Sequence, residues 1–128
     1  VRPDALTSDE PVAGFYTIRL MRGGIMVPVR LYFGQPVIDG ERQDRPARWC
    51  AIVNGTSARN FYGVTGLLIG RVPHDVERVW PWCARNPISR DEYRFLLRRA
   101  AWARQHAPDH PAARPWETID IRALKPAF

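Results

Sequence analysis

The run Gly14 to Gly34, GFYTIRLMRGGIMVPVRLYFG, constrains the fold more than any other stretch. Apolar residues alternate with polar ones at Tyr16, Ile18 and Leu20, and again at Val27, Val29, Leu31 and Phe33. A period of two is the mark of a strand with one face buried. Gly23-Gly24 between the two runs supplies the positive φ angles that a two-residue hairpin turn demands. Such a turn sets the register. It pairs Leu20 with Val27, Ile18 with Val29 and Tyr16 with Leu31 on the core face. The opposite face then carries Phe15 beside Tyr32, Thr17 beside Arg30, Arg19 beside Pro28, and Met21 beside Met26. Pro28 falls at a non-hydrogen-bonded pair of the hairpin, so its missing N–H points outward. That discourages a third strand and reads as an edge or a bulge.

Past the hairpin, residues 35–47 form a long polar connection, and Trp49 to Val53 is a further strand running into Asn54-Gly55, a second hairpin signal. Val64 to Val72 is apolar but broken by Gly66 and Gly70, which suggests a bent strand, and a short strand is expected over Glu77 to Trp82, interrupted by Pro81. Ser89 with Glu92 makes a capping box, and Ile88 with Tyr93 stands in staple position. A helix is therefore predicted over Arg90 to His106, ending before Pro108. Its apolar stripe is Tyr93, Leu96, Leu97, Ala100 and Ala101. Residues 1–13 read as a loose arm and residues 107–128 as an extended Pro-rich tail anchored by Trp116, Ile119, Ile121, Leu124 and Phe128.

The expected fold class is α+β, a single domain over residues 14–128. It has a small antiparallel sheet over residues 14–82, open or barrel-like, packed by one C-terminal helix over residues 89–106. A chain of 128 residues can bury a core of its own without staples. No apolar run approaches the roughly 18 residues of a membrane span, and nothing resembles a signal peptide, so a cytoplasmic protein without membrane association is expected. Cys50 and Cys83 sit in apolar contexts and form no CxxC pair, as expected of reduced core thiols, with a disulfide as the alternative.

Catalytic signatures are missing from the sequence. His106 and His110 have HxxxH spacing, but Pro108 between them breaks the helix that would bring both to one face, so no metal site is expected. The glycines at 63, 66 and 70 lack the GK[ST] ending of a phosphate loop, and no cofactor is implied. Both thiols lie where thiolate is disfavoured. Charge points elsewhere. The net charge is +6, carried by 18 arginines and one lysine, Lys125. An acidic partner is favoured, and guanidinium forks grip phosphate in pairs and stack on rings.

Rings beside arginines occur twice. Phe15, Arg19, Arg30 and Tyr32 share the outer face of the hairpin, and Phe95, Arg98, Arg99 and Trp102 share the remaining surface of the helix. Stacking rings with cations that track a backbone are how single-stranded nucleic acid is held. The same residue types also dominate the centres of protein interfaces. Against both stands the ordinary alternative that the loop or the tail covers these faces.

The residues Gly14-Phe15-Tyr16, Arg22-Gly23-Gly24, Val27-Pro28-Val29-Arg30, Glu77-Arg78-Val79-Trp80-Pro81 and Pro87-Ile88-Ser89-Arg90-Asp91-Glu92-Tyr93 resemble small uncharacterised proteins encoded by phages and prophages of proteobacteria. That resemblance implies a bacterial host and an accessory role, with no functional residues to carry over. Two roles fit it: a non-enzymatic nucleic-acid-binding accessory, or a protein-binding inhibitor of a host defence system of the anti-CRISPR kind.

Overall fold

A computed structural model describes residues 9–38, 40–57, 67–69 and 72–115. The hairpin forms as β1 (Gly14–Arg19) and β2 (Met26–Gly34), with β3 (Val37–Ile38) and β4 (Glu41–Arg42) as a small hairpin in the polar connection. Next come β5 (Arg48–Val53), β6 (Thr56–Ser57), β7 (Leu67–Ile69) and β8 (Val72–His74), then helices α1 (Val76–Arg85) and α2 (Arg90–His106) and a 3-10 turn at Pro111–Ala113. The main sheet is antiparallel in the order β1-β2-β5-β6 and open, not barrel-like; β3-β4 and β7-β8 are separate two-stranded ribbons. The class is α+β as expected, but with two helices instead of one.

The hairpin register differs from the expected one by two residues. Ile18 pairs with Val27, Tyr16 with Val29 and Phe15 with Arg30. The cause lies in the turn. Gly24 N–H donates to the Met21 carbonyl at 2.9 Å, and of the two glycines only Gly23 has a positive φ, +77°. Arg22 and Gly23 are therefore the central residues, and one positive φ in second place is the requirement of a type II turn, whereas a turn centred on Gly23-Gly24 would be of the primed kind. A slip of two leaves every side chain on its expected face, because the pleat repeats every two residues. Asn54 (φ +52°) and Gly55 (φ +85°) do form the primed two-residue turn, joining Val53 to Thr56.

β2 is central, not an edge. β5 pairs with it only as far as Val29↔Val53, so the chain has already turned away where Pro28 lacks its N–H. The Pro28 carbonyl is nevertheless satisfied, accepting from Asn54 N–H at 2.8 Å.

Residues 76–85 overturn the expected strand at Glu77 to Trp82. Val76, Val79, Trp80 and Cys83 recur at helical spacing, and all are buried against the sheet. Pro81 obscures that period, but it sits on the exposed side, where water can serve the Glu77 carbonyl it leaves unpaired. The first core is the α1 stripe against Tyr16, Ile18, Val27, Val29, Leu31, Ala51 and Val53, with Tyr16 and Trp80 edge-to-face at 5.4 Å.

α2 has the expected bounds, and Ser89 caps it by accepting from Glu92 N–H at 3.1 Å. Ile88, Tyr93 and Leu96 form a second core with Phe15 and Leu97. Because Phe15 and Tyr16 point to opposite sides of β1, α1 and α2 lie on opposite faces of the sheet. The link between them runs along the outer edge of β1. Thr17 N–H donates to Asn86 at 3.0 Å, Ile88 N–H donates to Phe15 at 2.9 Å, and Tyr16 bridges Pro87. The expected stripe on α2 is rotated: Ala101 is exposed and Ala103 is buried, because the 3-10 turn, with Ala112 buried, docks on that side. That turn replaces the expected extended conformation over the first part of the tail. The anchors Trp116 to Phe128 lie outside the described residues, as do 64–66 and 70–71 of the expected bent strand Val64 to Val72; its described parts, Leu67–Ile69 and Val72, belong to two antiparallel strands and not to one.

Burial keeps two acids of the first core neutral. The Cys83 thiol and the Tyr16 phenol are each pushed up to about 12, chiefly by desolvation. Unfolded, both groups ionise at their lower ordinary values. Stability from their burial is thus complete below about pH 8, where neither group ionises even unfolded, and is lost as the pH rises toward 12. The melting temperature by circular dichroism should fall between pH 8 and pH 11; a constant value would mean that neither group resists ionisation in the fold.

Candidate functional site

Phe15, Arg19, Arg30 and Tyr32 do share one sheet face, but they do not make one open platform. Phe15 is half-buried, its ring 4.6 Å from that of Tyr93, so α2 covers the face between its two ends. On one side of α2, exposed Arg30 lies 5.7 Å from the centroid of the Tyr32 ring. The Tyr32 hydroxyl accepts from Val37 N–H at 3.0 Å and donates to the Gln35 carbonyl at 3.4 Å, which pins the ring. A shallow cavity of about 450 Å³ opens there, with Arg42 and Ile52 also on its wall. Burial pushes the Tyr32 phenol up, so it remains a neutral donor. On the other side of α2, exposed Arg19 donates from Nε to the Gly24 carbonyl at 3.1 Å, tying the strand end to the turn.

The helix quartet is open. Phe95 and Trp102 are 54% and 56% exposed, unusual values for large rings, and Arg98 is exposed between them. At 100° per residue, Phe95, Arg98, Arg99, Trp102 and His106 fall along one ridge, about a third of a turn round the helix from the buried Tyr93, Leu96, Ala100 and Ala103. The Trp102 and His106 rings are 5.6 Å apart. Arg99 lies at the foot of the ridge, half-buried, with its Nε sealed from solvent and without a hydrogen-bond partner. Five arginines against Asp91 and Glu92 make the helix strongly basic.

Two exposed rings were not expected from the sequence: Phe33, which the apolar alternation puts with the core residues, is 60% exposed near the end of β2 with its ring 5.6 Å from that of Trp49, and Trp82 is the other. Trp82, 52% exposed, projects from α1 toward the hairpin turn. Expecting a strand there hid it; the helical spacing of Val76, Val79, Trp80 and Cys83 would have placed Trp82 outside the core. It lines a cavity of about 310 Å³ together with Arg19, Arg22, Met26 and Asn86. A second cavity of about 490 Å³ lies between β1 and α2, lined by Arg19, Met26, Asn86, Glu92, Leu96 and Arg99.

Among the described residues, no group of three His, Cys, Asp or Glu side chains is placed to hold a metal ion, and no helix is long and apolar enough to cross a membrane. Cys50 and Cys83 are free and buried, and a thiol held at about 12 is a poor nucleophile. No protein-family model, curated protein or solved structure matches the chain.

Proposed function

We propose that the protein binds single-stranded nucleic acid, as a non-enzymatic accessory, through the ridge of α2. The observation that carries this reading is the exposure of Phe95 and Trp102 on a helix face they share with Arg98 and Arg99. Isolated exposed apolar side chains are ordinary, but two large rings interleaved with guanidinium groups match what an unpaired strand requires: flat surfaces for bases and cations for phosphates. Arg30 and Tyr32, on the far side of α2, offer a secondary contact of the same type. An accessory of this kind suits the resemblance to phage and prophage proteins.

Anisotropy of a labelled oligothymidylate tests the reading. Affinity should fall steeply between about 50 and 200 mM salt, as phosphate contacts release counterions. Trp102→Ala should weaken binding about fivefold or more, the loss of one stacked base. A wild-type chain that does not bind, or a Trp102→Ala variant that binds equally well, refutes the reading. If the ridge instead captures a protein at high salt, it belongs to a protein interface, whose apolar centre is insensitive to salt.

A further inference from the structure

We infer that the cleft where the hairpin turn meets both helices is a phosphate-binding continuation of the ridge, leading one nucleic-acid strand around the β1 edge from α2 to Trp82. This rests on the reading above and names a path and residues beyond it. Arg19, Met26 and Asn86 line both cavities, so the two chambers adjoin across these residues, one on each face of the sheet, with Arg19 between them. Arg99 joins the cleft to the ridge: it lines the larger chamber, and on α2 it lies one turn from Phe95 and from Trp102. Rings therefore stand at both ends, Trp102 and Phe95 on one helix and Trp82 on the other, with guanidinium groups between them.

The charge of the cleft selects the occupant. Arg19, Arg22 and Arg99 face it, against the single carboxylate of Glu92. The Arg99 Nε is sealed from water with no acceptor, which is costly for a charged group. A phosphate oxygen entering the chamber can supply that acceptor through a change of rotamer. Methionines 21 and 26 line the Trp82 chamber, a soft apolar wall of the kind that accommodates a base stacked on the indole.

The full chain is titrated with a labelled 16-mer oligothymidylate, long enough to occupy a track of this kind. Trp82→Ala removes an exposed ring and leaves the core intact; it should weaken binding about fivefold or more. Arg99→Gln should weaken it too, and should lower the dependence of log affinity on log salt by about one phosphate. Thermal melts of both variants confirm that the fold is retained. If both bind the 16-mer like wild type while Trp102→Ala is weakened, the track ends on α2: the inference fails and the ridge stands. If the wild-type chain binds no oligonucleotide, ridge and cleft fail together, and the basic surface belongs to an acidic protein partner.

Discussion

Trp80→Ala should cost about 3–5 kcal/mol of folding stability, a large part of the roughly 5–15 kcal/mol available to a domain. Trp80 is 2% exposed and stands where α1 meets the sheet, edge-to-face with Tyr16 at 5.4 Å. Its removal loses the transfer energy of the largest side chain in the core. It also leaves a cavity that the surrounding Val29, Leu31 and Val79, all essentially inaccessible, cannot collapse to fill. The aromatic pair adds about 0.5–1.5 kcal/mol beyond area alone. Urea denaturation measures the loss from the shift in midpoint. A change below about 1 kcal/mol would place Trp80 outside the core and remove the reason for α1 to lie on that face.

The opposite sign is expected one residue later. Pro81→Ala should stabilise the chain by about 1–3 kcal/mol. Pro81 is the sixth residue of α1, past the first turn in which proline is harmless, and it has no N–H for the Glu77 carbonyl. Both residues are exposed, so alanine restores the bond without disturbing the core. The midpoint in urea should rise. A fall would mean that the bend proline imposes is what seats Val79, Trp80 and Cys83 on the sheet, and that a straight helix packs less well.

Where local chemistry and tertiary packing agree, the structure follows the sequence closely. α2 keeps its expected bounds because cap, staple and stripe all act within one turn of its start, and Asn54-Gly55 folds as its side chains dictate. The hairpin faces survive even though the register does not, since the turn moves by one residue and the pairing by two. Two features were illegible for physical reasons. A proline within ten residues masks a short helix whose stability comes from its buried face and not from propensity. The passage of the chain from one sheet face to the other depends on the backbone of Asn86 to Ile88, and backbone hydrogen bonds leave no trace in side-chain pattern. The candidate site shows the same division. Phe95, Arg98 and Trp102 were readable because the helix was; Phe15 lies half beneath Tyr93 because a second helix takes the other face and leaves this one to α2. Trp82 was hidden together with α1.

The backbone contacts of Asn86 to Ile88 with β1 also bear on how the chain is made. β1 and β2 are synthesised before the helices, and the outer row of amides and carbonyls on β1 finds its partners only when a segment some seventy residues further along has been added. Until then a nascent hairpin offers an unpaired strand, the template on which neighbouring chains misassemble. Arg19 and Arg22 lie close to its tip, exposed, and charges so placed disfavour the pairing of two such strands.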